Sequence, residues 1–177
     1  MFAGAGALRL TTTGPMTDRS EAPILERIVD LLERHQVTFE QRSHEPVYTS
    51  ADAARVRGEP LHSGAKALVV KTEAGFVLLV LPGDCKLDSK ASKKLTGGKS
   101  LRFATREEVA ELTTLEPGSI PPFGSLFGLP TFCDTGLGDC EQINFNAGSH
   151  TESIRMRYQD YLHVESPTVG EFSRPAS

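Results

Sequence analysis

A chain of 177 residues has the length of one domain with short tails, and 38% apolar with 24% charged residues places it among globular proteins. No apolar run approaches the ~20 residues of a membrane span; the longest, Phe76 to Pro82, has the length of a strand. A formal net charge of −4 argues against a general nucleic-acid coat, and three cysteines without C-x-x-C spacing (Cys85, Cys133, Cys140) argue against a disulfide framework or a zinc site and fit free thiols in a reducing cytoplasm.

Residues 1–20 read as a disordered lead, with Met16 an alternative start and no apolar run long enough for a secretory signal. From Ala22 to Val37, Ile24, Leu25, Ile28, Leu31 and Leu32 recur at helical spacing behind Pro23. Phe39 to Ser43 alternates as a strand, His44-Glu45-Pro46 makes an extended corner, and Thr49-Ser50-Ala51-Asp52 caps a short helix. Ala65–Lys71 and Phe76–Leu81 form a hairpin turning at Gly75. Asp88 caps a helix that Gly97-Gly98 stops, Leu101–Phe103 is a strand, and Thr105-Arg106-Glu107-Glu108 caps the next helix. The Pro/Gly-rich segment Glu116–Pro130 can only be a shaped loop. Strands at Pro130–Asp134, Gln142–Phe145 and Ser153–Met156 precede a closing helix at Tyr158–Val164, and 171–177 reads as a flexible tail. Interleaved strands and helices predict an α/β (α+β) single domain over residues 21–170, with a mixed sheet surrounded by helices.

Several signatures fail on spacing. Gly98-Lys99-Ser100 lacks the first glycine of a P-loop, which would stand at Lys93. Gly124-Ser125-Leu126-Phe127-Gly128 places its serine one position too early for a nucleophile elbow, and His44-Glu45 lacks a zincin's second histidine. No cofactor or metal is implied. One charge run stands out: Lys86, Lys90, Lys93, Lys94, Lys99, Arg102 and Arg106 face one acid, Asp88, a net +6 that leaves −10 for the rest of the chain. Such a run is either a solvated face or a phosphate-binding surface.

A series of phrases carries a resemblance: His44-Glu45-Pro46-Val47-Tyr48-Thr49, Ala65-Lys66-Ala67-Leu68-Val69-Val70-Lys71, Val80-Leu81-Pro82-Gly83-Asp84-Cys85-Lys86-Leu87-Asp88, Leu101-Arg102-Phe103-Ala104, Leu115 to Gly124, and Asn144-Phe145-Asn146-Ala147-Gly148. From about Ala22 to Val169 the chain resembles the YbaK-like family, related to the editing domain inserted in bacterial prolyl-tRNA synthetases. The resemblance implies hydrolysis of the ester joining a wrong amino acid to a tRNA. Its signature lysine matches Lys66 and its G-x-x-x-P loop matches Gly118 to Pro122, so Lys66 and Gly118 become the expected catalytic positions. The implied substrate-binding residues are His44, Ala67, Ser119, Ile120, Pro121, Pro122, Asn146 and Gly148, with His44 either orienting the terminal adenosine or bracing the Pro46 corner. The +6 run, Lys86, Lys90, Lys93, Lys94, Lys99 and Arg102 in particular, becomes the expected tRNA surface. The implied partners are mischarged tRNA, tRNA for proline foremost, and prolyl-tRNA synthetase or an elongation factor as its source; no membrane is involved.

These residue types suit that chemistry. An aminoacyl ester is already activated, so a site that holds water, carbonyl and ribose in register needs no covalent nucleophile. A lysine can bind phosphate or polarise the ester, and backbone N–H groups of a glycine-rich loop can stabilise an oxyanion. Departures limit specificity: alanine-removing members carry Lys-Asn where this chain has Lys66-Ala67, and a histidine in the phrase occupied by Asn144-Phe145-Asn146. The cysteine-removing subgroup usually places a small hydroxyl residue after the lysine, so neither specificity carries over. Two rival readings remain, a non-catalytic tRNA- or synthetase-binding module and a hydrolase of small esters that would have no use for the basic run.

Overall fold

The computed structural model describes residues 22–176, so the expected lead at 1–20 lies outside the described residues. Helix α1 (Ile24–Arg34) buries Ile24, Ile28 and Leu32 at helical spacing, and is shorter than the apolar pattern because Gln36, at φ 56°, turns the chain out of the helix. Strand β1 (Phe39–Ser43) follows, then α2 (Ser50–Arg57), which starts where the Thr49 hydroxyl accepts from the Asp52 N–H and stops at Gly58, φ 65°. Strands β2 (Ala65–Thr72) and β3 (Gly75–Pro82) form the expected hairpin, paired from Ala65 opposite Pro82 to Thr72 opposite Gly75. Next come β4 (Cys85–Leu87), α3 (Ser89–Thr96, capped by Asp88), β5 (Leu101–Phe103) and α4 (Arg106–Thr113), the last opened by a reciprocal Thr105–Glu108 capping box. Strands β6 (Thr131–Asp134), β7 (Gln142–Asn146) and β8 (Glu152–Arg157), helix α5 (Tyr158–Glu165), and strands β9 (Thr168–Gly170) and β10 (Ser173–Pro175) complete the chain.

A five-stranded mixed sheet in the order β5-β2-β3-β6-β9 forms the centre, with β6 parallel to both its neighbours. An antiparallel β1-β8-β7 sheet and a β10-β4 pair accompany it. Alternation divides the central sheet between two cores. Ala65, Ala67, Val69, Leu78 and Val80 face the larger core with α1 and the inner face of β7 and β8, whereas Val70, Leu79 and Leu81 face a smaller one closed by Phe172 and by Leu95 of α3.

Strand β5 pairs only with Val70 to Thr72, so the first half of β2 is left free of a β5 partner. At that end Gly64 bridges to Asn144 of β7, and a cleft opens between the two sheets.

The expected flexible tail at 171–177 is corrected by the structure over its described residues, 171–176. Phe172 is fully buried, Ser173 to Pro175 pair with β4, and the Phe172 and Ser173 N–H groups both donate to the buried Asp134 carboxylate at 2.8 Å. This end of the chain is held by one aromatic anchor and a side-chain acceptor 38 residues earlier in sequence, neither of which leaves a periodic signature. Strands β4 and β9, three residues each, are likewise too short to show alternation.

Candidate active site

The cleft encloses about 150 Å³ between α2, the start of β2, the loop at Gly118 and the outer face of β7. Its wall is built by strand alternation. Ile143 and Phe145 of β7 point into the larger core, so Asn144 and Asn146 point to the opposite face, toward α2. There Arg57, only 9% exposed, donates to the side-chain oxygens of both: to Asn144 at 2.7 Å and, in a very short contact, to Asn146. Asn144 in turn donates to Ser63 Oγ at 2.9 Å, and Asn146 to the Gly118 carbonyl at 2.6 Å. The chain of bonds runs from α2 through β7 to the Gly118 loop and fixes each amide's orientation. Burial lowers the Arg57 guanidinium to about 10, against the opposing charge of Glu59, so it remains a cation at neutral pH.

Lys66 enters from β2. Its Nζ donates to the Cys85 carbonyl at 2.5 Å, and burial lowers its pKa against the opposing charge of Asp84. Across the cleft, Gly118 has φ 87°, a conformation that favours glycine, and an added Cβ would meet His150 Cε1 at 3.4 Å. The Ser119 N–H is used by Glu116 O at 3.1 Å, whereas no hydrogen bond engages the Gly118 or Ile120 N–H among the described residues. Both residues lie on the cleft lining. Among the described residues, the lining contains no histidine, cysteine, aspartate or glutamate.

Lys66, Ala67, Gly118, Ile120 and Asn146 are therefore brought together on the cleft wall. The other expected binding residues stand behind it. Ser119 is buried with its hydroxyl on Glu116 O at 2.7 Å; Pro121 and Pro122 are buried, and Pro122 O accepts from Tyr161 at 2.8 Å. Gly148 packs against Ile24, and its N–H donates to Ser119 O at 3.0 Å. His44 lies at the Pro46 corner, with its ring Nδ1 2.8 Å from Glu45 O, outside the lining. Ser119, Pro121, Pro122 and Gly148 shape the loop from behind, because a Pro/Gly segment that packs on the core can present only part of its length to a ligand.

The basic run divides in the same way. Lys86, Lys90, Lys94 and Lys99 are exposed on β4, on α3 and in the loop after it, and Lys93 is half-buried. Arg102 instead makes a two-pronged pair with Glu108, both contacts at 2.8 Å, and Arg106 pairs with Glu116. The residues the sequence reading missed are Arg57, Asn144 and Tyr48. Asn144 and Asn146 at i and i+2 in an apolar strand were the available signal, since they must share a face. Tyr48 stands at the cleft, 73% exposed, its ring 4.8 Å from that of His150.

A mixed α/β domain with one lysine-bearing polar cleft is the class that fold and site define, and the family model for the aminoacyl-tRNA editing domain matches residues 44–164. The chain belongs to that family. Among its relatives is the multifunctional Ser/Thr-tRNA deacylase ProXp-y of Escherichia coli (strain K12), 32% identical over 91% of this chain and the whole of that one. The proline–tRNA ligase of Bacillus licheniformis is 31% identical over 68% of this chain, a match that occupies 20% of the ligase. A solved structure described as a candidate trans-editing enzyme for prolyl tRNA synthetase superposes with a TM-score of 0.74 at 27% identity, covering 86% of this chain and 98% of that one.

Proposed function

We propose that this chain is a deacylase that hydrolyses the ester of a tRNA charged with a small, wrong amino acid, tRNA for proline first. The observation that carries the reading is the convergence of Lys66, the Gly118 loop and the clamped Asn146 amide on one small cleft. In this reading Lys66 polarises the ester or holds the terminal phosphate, and the Gly118 and Ile120 N–H groups receive the developing oxyanion. The site, whose described lining offers no acid or histidine, then works by holding water and ester in register, with a vicinal ribose hydroxyl of the substrate helping to activate that water.

A cleft of about 150 Å³ excludes large side chains by size and separates similar small ones poorly. Its polar wall of Asn144, Asn146 and Arg57 suits a side chain bearing a hydroxyl, and the named activity of the Escherichia coli relative makes serine and threonine the leading candidates. The test is release of amino acid from tRNA for proline charged in turn with alanine, cysteine, serine, threonine and proline. Release of serine or threonine with proline spared is expected. Binding of the tRNA without release from any member would replace the deacylase with a non-catalytic binding module.

A further inference from the structure

His62 lies outside the cleft lining, in the short turn between α2 and β2, and among the described residues every hydrogen-bond partner of its ring is an acceptor. Nδ1 is 2.8 Å from Asp84 Oδ1 and 3.0 Å from Oδ2, while Nε2 is 2.9 Å from Gly136 O and 3.3 Å from Asp139 Oδ2. A neutral imidazole carries one N–H and would set a lone pair against an acceptor on its other side; only the imidazolium donates to both. Burial opposes that charge, but the Asp84 contact, the Gly136 carbonyl and Asp139 outweigh it, so the ring titrates above its ordinary 6.5. The other titratable groups around it are the Cys85 thiol, 3.4 Å from Asp84 Oδ1, the Cys140 thiol, which feels both Asp139 and Asp84, Asp134, whose Oδ1 accepts from Gly136 N–H, and the Lys66 ammonium. Burial first raises both thiols, which keeps them neutral.

Asp84 stands one residue before the carbonyl that holds Lys66, and its charge acts on that ammonium. A carboxylate binds an ammonium far more strongly than a neutral carbonyl does. We propose that His62 is a positioning residue: as the resident cation on Asp84, it prevents that carboxylate from capturing Lys66 and leaves the lysine on the Cys85 carbonyl with two further N–H donors for the ester. The proposal rests on Lys66 being the group that meets the substrate.

His62→Ala, Asp84→Asn and the double variant are compared in two assays. One is single-turnover deacylation of a tRNA that the wild type hydrolyses. The other needs no substrate: acetylation of Lys66 by trace acetic anhydride, quantified by peptide mass spectrometry, with exposed Lys71 of the same strand as the reference for intact folding. In His62→Ala the released Asp84 pairs with Lys66, so acetylation slows about tenfold relative to Lys71 and the chemical step falls by a similar factor with little change in KM. Adding Asp84→Asn removes the captor and restores both rates to within about threefold of Asp84→Asn alone. A double variant as slow as His62→Ala in acetylation overturns the proposal, because a merely structural brace is not rescued by a second loss. Should the wild type hydrolyse no charged tRNA, the deacylase reading fails while the acetylation rates still decide the role of His62.

Discussion

At the scale of single residues, the site depends on side chains held by other side chains. Arg57 touches two asparagine oxygens, and one of those asparagines holds the Gly118 carbonyl. Arg57→Ala leaves both oxygens short of a charged donor in a buried setting, so we expect a loss of about 2–3 kcal/mol in urea unfolding and a larger relative loss in kcat than in KM. Arg57→Lys keeps the charge but not the planar fork, and should recover stability only in part. The His62–Asp84 pair makes a pH-dependent contribution of definite sign. The His62 pKa is raised from 6.5 on folding, so its stabilisation is fully present below that value and is lost as pH rises through the folded one. Burial alone would raise the Asp84 pKa, but the His62 contact lowers it below 3.8, so its stabilisation is present above that value and is lost as pH falls through the folded one. His62→Ala should therefore cost most between about pH 4 and 6.5 and little at pH 9, within ~1 kcal/mol because the pair is partly exposed. Equal destabilisation of the variant at pH 5.5 and pH 9 in thermal unfolding would refute the ion pair.

At the scale of elements, what was legible in the sequence were the pieces with a periodic pattern or a cap. The α1 stripe, the Thr49, Asp88 and Thr105 caps and the β2–β3 hairpin carry their own local signals and form as expected. Of the three-residue strands only β5 was legible; β4, β9 and β10 were not, because their pairing is set by distant partners: β10 exists only as the neighbour of β4, anchored by Phe172 and Asp134. The candidate site was legible in part for the same reason. Lys66 and Gly118 stand in distinctive phrases, whereas Arg57 sits among the alanines of an ordinary helix and gains its meaning only from β7 opposite. The C-terminal clasp has a consequence for Lys66, since β4 also supplies the Cys85 carbonyl. Phe172→Ala should cost about 3–5 kcal/mol and lower deacylation through a misplaced lysine, measurable as a drop in melting temperature with a parallel fall in kcat.

At the scale of the whole molecule, the charge of an acidic protein is unevenly distributed along its sequence. The exposed lysines of β4, α3 and the following loop form the one strongly basic segment of the sequence, and β4 adjoins Lys66 through the Cys85 carbonyl. That continuity motivates the proposal that these lysines form a phosphate-binding face, the Arg102 and Arg106 charges being already shared with Glu108 and Glu116. Lys90→Glu with Lys94→Glu, both exposed, should weaken binding of uncharged tRNA by at least tenfold at low salt and flatten its salt dependence, with unchanged melting temperature. Filter-binding titrations that show wild-type affinity would remove this face from the account.

The central claim is that Lys66, held in the cleft by the Cys85 carbonyl, drives ester hydrolysis on tRNA. It is tested most directly by single-turnover deacylation of seryl- and threonyl-tRNA for proline with the wild type and Lys66→Ala, both at saturating protein. The account predicts a fall of about 100-fold or more in the chemical step of the variant, with the fold and tRNA binding retained. A Lys66→Ala protein that releases the amino acid at the wild-type rate would contradict it.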